Sequence, residues 1–213
     1  MRPLTDTIPK PLLKVGGKML IEYHLEKLHA AKITEIVINH AWLGEKIEQA
    51  LGDGTRYGLT ITYSAEGEAL ETAGGIVNAL PLLRGDGDQA EPFVVINGDI
   101  FCDYEIANLP SSLTGLAHLV LVDNPQHHPE GDFALTPSAA VEPTGKIKYT
   151  FSGIGVYHPD LFKAYANGKR ALAPVLREAM QKNQVTGELY PGIWHDIGTA
   201  ERLNQLDLYL KNN

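Results

Sequence analysis

Apolar positions along the 213-residue chain follow helical spacing in some segments and form short extended runs in others. From Leu20 to Ala31 they recur at Leu20, Ile21, Leu25 and Leu28 with charges between them, the spacing of an amphipathic helix. The β-branched run Glu35 to Asn39 reads as a strand, and Trp42 to Leu51 as a helix closed by Gly52-Asp53-Gly54. Leu59 to Ser64 reads as the next strand, and Thr72 as the N-cap of a helix reaching Leu80. Phe93 to Asn97, F-V-V-I-N, is apolar without alternation and predicts a strand buried on both faces of a parallel sheet. This rhythm predicts an α/β fold, a doubly wound Rossmann-like and mostly parallel sheet with helices on both faces.

The second half is less regular. Leu116 to Val122 is a strand, residues 124–132 are turn-rich, and two strands flank the loop at Pro143-Thr144-Gly145. Gly153 to Tyr157 reads as a buried strand, and Ala171 to Gln181 and Thr199 to Leu210 as helices. There is no repeat, low-complexity tract or linker. The expectation is one domain over 1–213, with an insertion at about 123–152 lying over the sheet.

Composition narrows the function classes. Hydrophobic content of 44% is enough for a substantial core. No apolar run approaches the ~20 residues of a membrane helix, and Met1 is followed by Arg2 and Pro3 rather than a secretory pattern. The single cysteine, Cys102, excludes an internal disulfide framework and fits a reducing cytoplasm; it reads as a buried small hydrophobe. A formal charge of -8 argues against a nucleic-acid partner. It leaves room for a nucleotide substrate, because one or two placed cations, helix N-termini and a metal ion can hold phosphates.

Candidate chemistry begins at Lys10, flanked by Pro9 and Pro11. The prolines predict a stiff, extended platform for a phosphate-gripping cation, against the plainer reading of a surface lysine in a turn. Asp99, in V-I-N-G-D, stands just past a strand end, where open α/β sheets place their ligand crevice. Alternation along an extended segment puts Asn97 on the same side as Asp99; the alternative is that Asn97-Gly98 is simply a turn. Asp196, in W-H-D-I-G-T, stands at a second strand end before a helix capped by Thr199. The two aspartates suit a shared magnesium ion, the alternative for Asp196 being a helix-dipole role. The small-residue patch Thr72-Ala73-Gly74-Gly75 opens a helix, where a flat base or another backbone could approach closely. Asp132, Gly153 and Glu188 offer groups for sugar hydroxyls and an N-acetyl group, or are ordinary surface residues; His127-His128 reads as an exposed turn.

In their joint order, P-L-T then P-K-P-L, L-E-T-A-G-G-I, N-G-D, F-S-G-I and W-x-D-I-G-T resemble the bacterial sugar-1-phosphate nucleotidyltransferases over nearly the whole chain. The resemblance implies an enzyme that makes a nucleoside-diphosphate sugar and pyrophosphate from a nucleoside triphosphate and a sugar 1-phosphate, with Mg2+. It implies catalytic roles for Lys10, Asp99 and Asp196, with the metal on the two aspartates. Glu66 and Thr72, Ala73, Gly74 and Gly75 match the base-recognition segment. Asn97, Asp132, Gly153 and Glu188 match positions near the sugar, and Arg2 takes a supporting phosphate role. A short chain without a C-terminal β-helix most resembles the branch making UDP-N-acetylmuramate from UTP in peptidoglycan recycling; branches making GDP-mannose or dTDP-glucose share most motifs. In the family signature a strand, a glycine-rich loop and an Arg precede Pro-Leu-Thr, and Met1 stands where the signature has Leu. A misassigned start is therefore the expectation, with about a dozen residues upstream; a non-catalytic nucleotide-sugar binder or an inactive fragment is the alternative.

Overall fold

Local sequence accounts for most elements in the computed structural model, which describes residues 1–83 and 90–212. A short helix α1 (Leu4–Thr7) and a 3-10 turn at Lys10–Leu12 lead into the hairpin β1 (Lys14–Val15) and β2 (Lys18–Met19). Its two-residue turn is Gly16-Gly17, with φ of 57° and 87°, values that other residues rarely adopt. Then follow α2 (Leu20–Ala30), β3 (Glu35–His40), α3 (Gly44–Leu51), β4 (Thr60–Ala65) and α4 (Glu71–Leu83). Next come β5 (Phe93–Ile96), β6 (Ile100–Cys102), β7 (Ala117–Val122), β8 (Ala134–Leu135), β9 (Val141–Glu142) and β10 (Thr150–Tyr157). The chain ends with α5 (Leu172–Gln181), β11 (Val185–Leu189), β12 (Trp194–Asp196) and α6 (Ala200–Asn212). The α/β class expected from the apolar pattern is the observed one. Helix α4 starts at Glu71, so Thr72 lies in its first turn and is not the cap.

The chain divides into two compact units. The first comprises Met1–Ala69, Asn97–Ala107 and the segment from Ile193 onward. In it β3 and β4 run parallel, with Glu35 opposite Thr60 and His40 opposite Ala65. Helix α2 buries Ile21 and Leu25 against Ile47 and Leu51 of α3 and Leu59 and Ile61 beside and on β4. Its first residue, Leu20, belongs to a second cluster with Leu13, Val15, Phe101, Ile197, Leu203 and Leu206. That cluster fastens the hairpin, β6, α6 and the residues flanking β12 together. Gly16 N also donates to Asp207 Oδ1 of α6 at 2.9 Å. Cys102 is buried as its sequence context predicts, and burial raises its thiol pKa to about 11, so it stays protonated.

The second unit comprises Leu70–Ile96 and Asn108–Gly192. Its sheet has the order β11-β7-β10-β5, with β11 parallel to β7 and β10 antiparallel to both neighbours. The segment between Val122 and Thr150 leaves and re-enters at one ladder pair, which is why β10 returns antiparallel to β7. The F-V-V-I run therefore has an antiparallel partner and half-buried residues, where a fully buried parallel strand was expected. A continuous apolar run reports burial but not the direction of its neighbour. Leu119, Leu121, Phe133, Tyr157, Phe162 and Leu176 head the core, against which α4 and α5 pack. No helix among the described residues is long and apolar enough to cross a membrane.

His24 of α2 is the informative buried polar group of the first unit. Burial lowers its pKa from 6.5 to about 4, opposed by a hydrogen bond to the Ile100 backbone. The folded state thus holds His24 neutral, while the unfolded chain takes up a proton below pH 6.5. Stability is complete above that pH and falls as the pH drops toward 4, by on the order of 2 kcal/mol between pH 7 and pH 5. Urea unfolding at those two pH values checks this: His24→Leu should show a distinctly smaller loss between them than the parent, whatever its stability at pH 7.

Candidate active site

Strands β6 and β12 are short and antiparallel, with Ile100 opposite Asp196 and Cys102 opposite Trp194. One more bond extends the ladder, from Ile197 N to Asp99 O at 2.8 Å. Asp99 and Asp196 therefore stand at the same end of one two-stranded ladder. Burial of Ile100, Phe101 and Ile197 locks that register. Residues 97–99 form a turn, closed by Ile100 N to Asn97 O at 3.5 Å. The turn tendency of Asn97-Gly98 prevails over extension, so strand alternation does not place Asn97 and Asp99 on one side. Gly98 lets this turn lie against the proline loop; a Cβ there would stand 3.3 Å from Pro11 Cγ.

Lys10 comes from that loop. Pro9 is extended, but Lys10 opens a 3-10 turn, with Leu12 N bonded to Pro9 O at 2.9 Å and Leu13 N to Lys10 O at 3.0 Å. This corrects the expectation of an extended platform: Pro11 is tolerated in a first turn, where its missing N–H has no partner to lose. Lys10 Nζ donates to Asp99 Oδ2 at 3.1 Å, both side chains about two-fifths exposed (39% and 43%). Asp196 is paired as well, accepting from Arg202 Nη1 through Oδ2. Arg202 lies in the first turn of α6, where its backbone N donates to Thr199 Oγ1 at 3.2 Å, the capping bond expected of Thr199.

Each carboxylate thus faces a side-chain cation, and carboxylate oxygens are the donors that a hard divalent ion takes. Mg2+ commonly takes one or two carboxylates and completes its shell with waters and substrate phosphates. Among the described residues no group of three or more His, Cys, Asp or Glu is placed to hold a metal. Asp99 and Asp196 are the residues that could hold one. Beside Lys10 lies a cavity of about 460 Å³ lined by Arg2, Asp6, His40 and Trp42, among others. Arg2 is exposed on its rim, ion-paired with Asp6 at 3.2 Å. Glu66 follows β4, half-buried, with its N bonded to His40 O at 2.8 Å.

The family model described as "Nucleotidyl transferase" matches residues 1–136, more than half of the chain. The chain belongs to the nucleotidyl transferase family. It is 51% identical to N-acetylmuramate alpha-1-phosphate uridylyltransferase of Neisseria meningitidis serogroup B over 216 aligned residues, covering 96% of this chain and 90% of that protein. It is 40% identical to mannose-1-phosphate guanyltransferase of Schizosaccharomyces pombe over 51% of this chain and 30% of that one. A structure from Bacillus anthracis, provisionally named a glucose-1-phosphate thymidylyltransferase and determined with a sucrose, shares the fold at a TM-score of 0.82. It has 21% identity to this chain and covers 100% of it and 91% of its own length.

The remaining family-motif residues lie in the second unit. Ala73, Gly74 and Gly75 are buried and Thr72 is exposed. Gly74 N bonds to Arg170 O at 3.1 Å, and a Cβ on Gly74 would come within 3.1 Å of Arg170 N. Close backbone packing, the plainer of the two readings of this patch, is what the glycine visibly serves. Gly153, at φ 86°, sits in the bulge of β10 between Phe151 and Ile154, and Ser152 Oγ accepts from Ile154 N at 3.1 Å. Glu188 is half-exposed on β11, 3.4 Å from Nε2 of His118, whose Nδ1 lies 2.9 Å from Thr186 Oγ1.

Asp132 is committed to partners within the second unit. Its Oδ2 accepts from Phe151 N at 2.8 Å and its Oδ1 lies 3.1 Å from His128 Nε2, so His128 is partly covered where an exposed turn was expected. Sequence reasoning missed Arg202 and His118. His118 carried no local signal, since its partners lie on β11, but Arg202 carried one: a cation at the positive end of a helix dipole wants a carboxylate nearby. Asp132→Ala should cost about 1–2 kcal/mol, because a backbone N–H loses its charged acceptor. A lowered urea midpoint with an unchanged slope checks this; an unchanged midpoint overturns the clamp.

Proposed function

We propose that this chain is a uridylyltransferase joining UTP and N-acetylmuramate α-1-phosphate into UDP-N-acetylmuramate, with release of pyrophosphate. The reading rests on the Lys10–Asp99 pair and Asp196 at one ladder end, in a chain 51% identical to N-acetylmuramate alpha-1-phosphate uridylyltransferase over 96% of its length. Peptidoglycan recycling in the cytoplasm is the setting this substrate pair implies.

The sugar phosphate oxygen is already anionic at neutral pH, so the chain needs no general base. That oxygen forms a bond to the α-phosphorus of UTP as the bond to the β-phosphate oxygen breaks, and pyrophosphate leaves with the electron pair. The obstacle is bringing two polyanions together, so the residues work by positioning and charge neutralisation. Lys10 swings from Asp99 to a phosphate oxygen, a small rearrangement because a half-exposed ion pair contributes only ~0–1 kcal/mol. Asp99 and Asp196 would hold Mg2+, which would supply positive charge to the phosphates. Arg2, on the cavity rim beside Lys10, gives a further cation for the triphosphate.

Pyrophosphate release across four nucleoside triphosphates and several sugar 1-phosphates tests the reading, with the highest rate expected for UTP and N-acetylmuramate 1-phosphate. Asp99→Ala and Asp196→Ala should each lose at least about 100-fold in turnover, the scale of one missing electrostatic contact, and keep a cooperative unfolding transition. Full activity in either variant would sink the two-carboxylate assignment. Nucleotide-dependent stabilisation without turnover in the parent would favour a binder.

A further inference from the structure

The D-I-G-T segment holds an arrangement that the phosphate chemistry does not explain. Arg202 stands three residues past the cap Thr199, in the first turn of α6, where exposed backbone N–H groups already carry positive charge. A cation is unfavourable there unless an anion offsets it. The side chain turns back over its own cap, with Nε 3.5 Å from Thr199 Oγ1, and its guanidinium reaches Asp196 Oδ2. Gly198 leaves the space it crosses: a Cβ there would stand 2.5 Å from Arg202 Nη2, 3.1 Å from Cζ and 3.4 Å from Asp196 Oδ2. Gly198 is not among the glycines with positive φ. The missing side chain makes room for the guanidinium.

We propose that Arg202 is a positioning residue that occupies Asp196 as a counter-cation before substrate arrives, so that it sets the affinity of the nucleotide-free protein for divalent cations. This rests on Asp196 being a metal-holding carboxylate, as argued above. With the guanidinium in place, an incoming divalent ion meets a like charge and must share or displace an existing partner. The ion then binds weakly alone and better with the triphosphate, whose oxygens give Arg202 somewhere else to go. Gly198 is the second component of the device, since any Cβ pushes the guanidinium off its path.

Mn2+ binding to the nucleotide-free protein, followed by the loss of the free-ion electron paramagnetic resonance signal, tests this without reference to turnover. Arg202→Gln should bind Mn2+ tighter than the parent by roughly two- to fivefold, the range for one partly exposed charge pair. Gly198→Ala should shift affinity the same way with the arginine still present. Structural damage would weaken binding, so a gain in both variants is specific to the counter-cation. If Asp196→Asn weakens Mn2+ binding but Arg202→Gln and Gly198→Ala bind no tighter than the parent, the counter-cation is overturned and the metal site stands. If Asp196→Asn leaves Mn2+ affinity unchanged, the metal-site reading fails and the counter-cation fails with it.

Discussion

The pairing of two short strands places Asp99 and Asp196 at one end of a ladder, and the first unit is built around that register. The pairing of β6 with β12 fixes where Asp99 and Asp196 stand, since Asp196 faces Ile100 and Ile197 N bonds to Asp99 O. Neither strand is long enough to hold that register by backbone bonds alone; the apolar residues beside the aspartates do it. Phe101 and Ile197 belong to the same cluster as Leu13, Val15, Leu203 and Leu206. That cluster also anchors the elements that deliver Lys10 and Arg202. Core and site are therefore one construction, and loosening the cluster would move a carboxylate and its cation together.

The glycines of the motifs serve the backbone first. Gly153 permits a bulge that re-aims β10 after Phe151, and Gly74 lets α4 approach the chain near Arg170. Gly98 lets the turn before Asp99 lie against Pro11. At these positions the residue type is explained by shape. Asp132 also serves the backbone, with one oxygen on Phe151 N and the other beside His128.

Much of this was legible in the sequence because it is local. The helices at Leu20, Leu172 and Ala200 follow from their apolar spacing, and Thr199 as a cap from its place before an amphipathic run. The strand-end aspartates follow from the apolar runs beside them, and the order of short motifs points to the family. Part of what was not legible depends on partners distant in sequence. The direction of the strand beside Phe93–Ile96 is set by how β10 returns, and no feature of F-V-V-I encodes it. The 3-10 turn at Lys10 is closed by the Pro9 and Lys10 carbonyls, where the flanking prolines predict extension. Arg202 is a local case: its place in the first turn of α6 hints at a nearby carboxylate, and Asp196 stands six residues before it.

Charge balance ties these observations to a chain of net charge -8 that is read as binding polyanions. At the ladder end two carboxylates are matched by two side-chain cations, so the local site is close to neutral. It neither repels a triphosphate nor gathers one from a distance, given a screening length of about 8 Å at physiological salt. On the proposed reading, a divalent ion arriving with the nucleotide changes that balance by two positive charges, directly where phosphate charge must be offset. Lys10 and Arg202 are then released from the aspartates in the same event and become available to phosphate oxygens. An acidic protein can in this way present strong positive potential only while substrate is bound, and the carboxylates that make the empty site stable are the ones that make the loaded site attractive.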